Sequence, residues 1–182
     1  MKIKNSSTQY GVLSKLFHWS IALLILIQLY LGFWTVWMLP QNSPQANFYI
    51  EGLHKPIGFM VSVLAILAIL WKFKNPHPSF PDSMPTWEKI IARITHWLLY
   101  LSLLIMPLSG TIMSTAYGVP PNFFGLYQFP MFIEKNMKVA EVFFLIHQYA
   151  SYLFSALIVL HILAALKHHF IDRDVVLKRM LP

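Results

Sequence analysis

VAEVFFLIHQYASYLFSALIVLHILAAL, residues Val139 to Leu166, holds one formal charge, Glu141, and two histidines, His147 and His161. The stretch is long enough to cross a bilayer as a helix, which takes about 20 mainly apolar residues. The two histidines are fourteen residues apart. At about 100° and 1.5 Å per residue, that step returns a helix to within about 40° of the same face and about 21 Å further along. One face therefore presents two imidazoles at two depths. An ionisable group inside a membrane marks a functional site by default.

The rest of the chain is of the same kind. Of 182 residues 57% are hydrophobic and 12% charged, and the mean hydropathy is +0.55, too apolar for an ordinary soluble domain. With no internal repeat or low-complexity tract, one unit over residues 1–182 is expected, an all-α membrane protein. Its four spans are Leu16–Leu39, His54–Phe73, Ile90–Ala116 and Val139–His169. The first is too long for a signal peptide and lacks a small-residue cleavage site, so it is expected to be retained. Pro40 to Pro44 end the first span, the Pro/Ser run from Pro76 to Pro85 separates the second from the third, and Pro107 is expected to kink the third. Trp34, Trp37, Trp71, Trp87 and Trp97 fall near the span ends, where an aromatic belt sits.

The net charge of +7 does not point to nucleic acid, because the basic residues lie at the ends of apolar runs rather than on one polar surface. They read as topology signals. Lys2, Lys4, Lys15, Lys72, Lys74, Lys89, Arg93, Lys167, Arg173, Lys178 and Arg179 fall on one side, and only Lys55, Lys135 and Lys138 on the other. That bias predicts both termini in the cytoplasm.

Orientation gives each histidine a depth. His54 and His147 belong at the outer level; His18, His96 and His161 belong at the inner one. Two ligands of one haem iron must come from opposite sides of the porphyrin and so share a depth. His54 can pair only with His147, whereas His161 pairs with either His18 or His96. Hydrogen bonding between helices would explain one such histidine better than four in depth-matched pairs. The absence of cysteine excludes covalent CxxCH attachment, leaving two b-type haems enclosed by a four-helix bundle. Fourteen residues after His18, His96 and His54 come Gly32, Gly110 and Ala68, small residues predicted to lie on each histidine's face at the other haem's level.

The string Phe17-His18-Trp19, the opening of the second span by His54, His96 followed by Met106-Pro107-Leu108-Ser109-Gly110, and His147 with His161 and the His168-His169 pair together resemble the bacterial cytochrome b561 family. The resemblance runs from about Tyr10 to Pro182. It implies a four-helix, di-haem b inner-membrane protein that exchanges electrons with ubiquinone or another quinone, and one branch of the family oxidises superoxide. It also implies His18 with His161 as inner haem ligands and His54 with His147 as outer ones, leaving His96 beside the inner site or on the quinone side. Basic residues that some relatives carry in the Pro-rich connection are missing from Ser79-Phe80-Pro81-Asp82-Ser83-Met84-Pro85.

Seven residues beyond His161, on nearly the same face and about 10 Å nearer the cytoplasm, His168 is the candidate quinone contact. Lys55 is placed to pair with an outer haem propionate, and Lys15 and Arg93 with inner ones. The expected function is transmembrane electron transfer by an oxidoreductase, from a small periplasmic one-electron donor to quinone in the surrounding lipid. The competing expectation, which similar b subunits of hydrogenases and formate dehydrogenases suggest, is a haem-bearing anchor for a partner redox subunit.

Overall fold

The computed structural model describes residues 2–181; Met1 and Pro182, the two ends of the unit expected over 1–182, lie outside the described residues. Four helical stretches are long and apolar enough to cross a membrane. They are α1 (Val12–Met38), a composite stretch ending in α3 (Lys55–Phe73), α4 (Thr86–Ala116) and α5 (Met137–Phe170). The molecule is thus the four-helix membrane bundle that hydropathy predicted. α1 packs along α3, α3 against α4 and α4 along α5. An open apolar groove separates α1 from α5, lined by Leu26, Tyr30, Phe33 and Trp37 on one wall and Ile158 and Ile162 on the other.

All four stretches feed one small core of Ile25, Val61, Ala65, Leu103 and Phe154. Most other large apolar side chains face outward, among them Leu23, Ile66, Leu101 and Leu163. A helix that is apolar all round is stable in that position only against hydrocarbon. Trp34, Trp37, Trp87 and Trp97 are exposed, as membrane anchors would be. Trp71 departs from that pattern, because its indole N–H donates to Ser14 Oγ at 3.0 Å and ties α3 to α1.

The second span starts earlier than its hydropathy suggests. Ser43 Oγ accepts the Ala46 N–H at 3.1 Å and opens a four-residue helix, α2 (Pro44–Asn47), with proline at its first position. A π-helical segment, Phe48–His54, follows and runs directly into α3, with the Lys55 N–H reaching back to the Ile50 carbonyl. His54 therefore sits inside a continuous helix. α4 likewise starts at Thr86, after Pro85, and continues unbroken through Pro107. Asn136 Oδ1 caps α5 by accepting the Val139 N–H at 3.2 Å.

The two ends of the bundle differ. At the end opposite the termini, β1 (Asn122–Phe123) and β2 (Tyr127–Gln128) form an antiparallel hairpin with Asn122 opposite Gln128, turned by Gly125 at φ 72°. At the other end both termini meet. Lys15 Nζ donates to the Leu181 carbonyl, Trp19 Nε1 to the Met180 carbonyl at 2.8 Å and Asn5 Nδ2 to the Pro76 carbonyl at 3.0 Å.

Candidate functional site

Two clusters of imidazoles lie one above the other along α5. In the first, His54 and His147 have ring centroids 6.2 Å apart with planes at 76°. The remaining two helices contribute glycines there. A Cβ on Gly32 of α1 would lie 3.5 Å from His54 Cε1, and one on Gly110 of α4 would lie 3.2 Å from His147 Cε1. Both small residues thus stand at the level that the fourteen-residue spacing predicted for them.

The two rings of this cluster are held differently. His147 Nδ1 lies 3.0 Å from the Met106 carbonyl and 3.1 Å from Ser109 Oγ. A carbonyl only accepts, so Nδ1 carries the hydrogen and Nε2 keeps its lone pair for a metal. His54 Nδ1 is buried with no partner, as is Gln28 Oε1. Gln28 instead donates from Nε2 to the His54 carbonyl at 2.9 Å.

In the second cluster His161 has two neighbours. Its ring centroid is 6.1 Å from that of His18 and 5.3 Å from that of His96. His96 is exposed, and its Nδ1 donates to the Ala92 carbonyl of its own helix at 2.7 Å. Two imidazoles on opposite sides of one metal, with metal–nitrogen bonds of about 2 Å, keep their centroids slightly more than about 6 Å apart. The His54/His147 and His18/His161 spacings suit a haem iron between them, and the His96/His161 spacing is too short.

Beyond His161, at the end carrying the termini, His168 is buried among carboxylates. Its Nδ1 lies 2.7 Å from Asp174 Oδ2 and 3.0 Å from Asp172 Oδ2, and its Nε2 lies 3.7 Å from Glu88 Oε2. Lys167 bridges Glu88 and Asp172 at 2.7 and 2.8 Å. Partial burial and the Lys72 charge hold the His77 imidazole below its ordinary pKa, and His77 meets Tyr10 edge to face in the connection. Burial in turn pushes the Tyr10 phenol up.

Three cations expected to await acidic groups already have other contacts. Lys55 is bound by Glu51 and Ser114 Oγ at 2.5 and 2.8 Å, because Glu51 stands one turn before it. Lys15 donates to the Leu181 carbonyl, and the Arg93 guanidinium lies 5.7 Å from the Phe80 ring. Gln28, Asp172, Asp174 and Glu88 stand out in none of the sequence motifs, and Ser109 only as part of the Met106 to Gly110 string. Only Gln28 carried a usable signal, as an isolated polar residue in the middle of an apolar span.

A family model described as prokaryotic cytochrome b561 matches residues 9–182. Cytochrome b561 homolog 2 of Escherichia coli (strain K12) is 34% identical over 183 residues, covering 100% of this chain and 95% of the relative. Cytochrome b561 homolog 1 of the same organism is 29% identical, with 91% and 92% covered. A probable superoxide oxidase, CybB, of Yersinia pestis is 27% identical, with 100% and 98% covered.

Proposed function

Because the chain belongs to the prokaryotic cytochrome b561 family, haem-binding electron-transfer proteins of bacterial membranes, we propose that it passes electrons across the inner membrane from a small periplasmic donor to quinone. In this reading residues 1–182 act as one unit with both termini in the cytoplasm, as the lysine and arginine bias supports. His54 and His147 hold an outer haem b, and His18 and His161 an inner one about 20 Å away by helical rise. His96 stands beside the inner site without ligating. The observation that carries the proposal is the pair of matched centroid spacings, 6.2 and 6.1 Å, at two levels of one helix.

His54 with His147, and His18 with His161, would hold the haems, which would supply one-electron chemistry; ligation by two histidines would favour outer-sphere transfer over oxygen binding. The chain's own residues orient and insulate. Met106 and Ser109 fix the His147 ring, Gly32 and Gly110 leave space beside the outer imidazoles, and the apolar bundle excludes water. At the cytoplasmic end His168, oriented through Nδ1 by Asp174 and with Nε2 toward Glu88, is the residue we place beside a quinone carbonyl. Quinone takes two electrons and two protons to become quinol.

Superoxide is the donor we favour, each molecule losing one electron and leaving as dioxygen. The support is the name of the Yersinia pestis relative. Local charge adds little, since Lys55 is paired with Glu51 and Lys135 and Lys138 are matched in number by Glu134 and Glu141 on the same side.

Haem quantitation and reduced-minus-oxidised spectra on single alanine variants test the ligand set. His54→Ala and His147→Ala should each lose one haem, His18→Ala and His161→Ala the other, and His96→Ala neither. Loss in His96→Ala with retention in His18→Ala would overturn the inner pairing. Superoxide added to the purified protein with quinone should reduce the haems and then the quinone; no response without a co-purifying redox subunit would make the chain an anchor instead.

A further inference from the structure

The outer site contains an unfinished hydrogen bond. Among the described residues four buried polar side-chain atoms lack a partner: Gln28 Oε1, His54 Nδ1, Asn75 Oδ1 and His169 Nδ1. Asn75 and His169 lie beyond or at the ends of their helices, near the termini. Gln28 and His54 are left as the two orphans at the outer level, one an acceptor and the other able to donate.

They already touch, since Gln28 Nε2 donates to the His54 backbone carbonyl at 2.9 Å. The position of α1 also shows which edge of the imidazole it faces. Gly32, one turn beyond Gln28 on the same helix face, would place a Cβ 3.5 Å from His54 Cε1 and 3.8 Å from His54 Nδ1. The Nδ1 edge therefore lies toward the face of α1 that carries Gln28, and Nε2 is the nitrogen left for the bundle interior. A third residue makes room for the amide: a Cβ on Gly58 would lie 2.7 Å from Gln28 Nε2. His147 needs no such help, having the Met106 carbonyl for its Nδ1 hydrogen.

We propose that Gln28 is the positioning residue of the outer haem ligand: its carboxamide oxygen accepts the His54 Nδ1 hydrogen once Nε2 binds iron, and so raises the donor strength of that imidazole. The proposal rests on His54 being a ligand. An acceptor on the far nitrogen fixes the tautomer and makes the ligand more basic, and a more basic ligand favours ferric iron. Gln28 thus holds the outer haem potential down while leaving the inner one alone.

The test is a potentiometric titration of the purified holoprotein, with the low-spin ferric EPR signal of each haem recorded in parallel. Gln28→Met, close in volume but without an acceptor, should raise the outer potential and shift its EPR signal. Gln28→Glu, an anionic acceptor, should lower that potential. Gly58→Ala, whose methyl displaces the amide, should act in the same direction as Gln28→Met even if Gln28→Met itself assembles poorly. The inner potential should stay fixed throughout. An unmoved outer potential and EPR signal in both Gln28→Met and Gly58→Ala would overturn the proposal, as would equal movement of both haems. A shift in Gln28→Glu alone would also overturn it, as the effect of an added charge. Outer haem retained in His54→Ala would instead defeat the ligand assignment.

Discussion

At the residue scale, the outer site is limited by how close two helices come to two imidazoles. A methyl at Gly110 would lie 3.2 Å from His147 Cε1 and 3.3 Å from Nδ1, whereas one at Gly32 would lie at an ordinary 3.5 Å from His54 Cε1. His147 cannot easily give way, because Nδ1 is held by both the Met106 carbonyl and Ser109 Oγ. His54, with no partner on Nδ1 until haem is bound, can. Gly110→Ala should therefore lose more outer haem than Gly32→Ala, at a cost of about 1–3 kcal/mol from overpacking, with the inner haem retained in both. Pyridine haemochrome assays on matched protein samples check the order. Equal loading in the two variants would mean that the His147 hydrogen bonds do not restrain the ring.

At the element scale, the ends of α4 and α5 are joined by charge. Glu88 at the start of α4 meets Lys167 at the end of α5 at 2.7 Å, and His168 is gripped from beyond α5 by Asp174 at 2.7 Å. Removing Glu88 leaves Lys167 its contact with Asp172, in a pair partly open to solvent, so Glu88→Gln should cost little. Asp174 and His168 are both about nine-tenths covered. Asp174→Asn, which removes a charge-assisted hydrogen bond, should cost about 1.5–3 kcal/mol, read as the larger fall in thermal midpoint in detergent. Long spans were legible in the sequence because hydropathy is a local property that needs no partner to be recognised. The π-helical segment before His54 was not, since Tyr49, Glu51 and Gly52 interrupt the apolar run and a wide turn has no composition of its own. Depth was readable for the same reason that spans were: helical rise converts residue number into height. Lateral packing was not, so Gln28 and Gly58, thirty residues apart and joined only across helices, gave no joint signal.

At the scale of the whole molecule, direction is what turns a stack of histidines into a route across a membrane. The fold brings the two termini together, with Trp19 Nε1 on the Met180 carbonyl at 2.8 Å and Asn5 on the Pro76 carbonyl. Lys2, Lys4, Lys15, Lys72, Lys74, Lys89, Arg93, Lys167, Arg173, Lys178 and Arg179 therefore all belong to one end, against Lys55, Lys135 and Lys138 at the hairpin end. Short connections obey the lysine and arginine bias most strictly, and every connection here is short. A green fluorescent protein fused after the last residue should fluoresce in intact cells, and alkaline phosphatase fused there should be inactive. Phosphatase inserted at Gly125, in the hairpin turn opposite the termini, should be active. The reverse pattern would put His54 and His147 on the cytoplasmic side and His168 on the periplasmic side, away from cytoplasmic protons. An electron route from a periplasmic donor to a quinone beside His168 would then run the wrong way, whatever the haem content of the histidine variants.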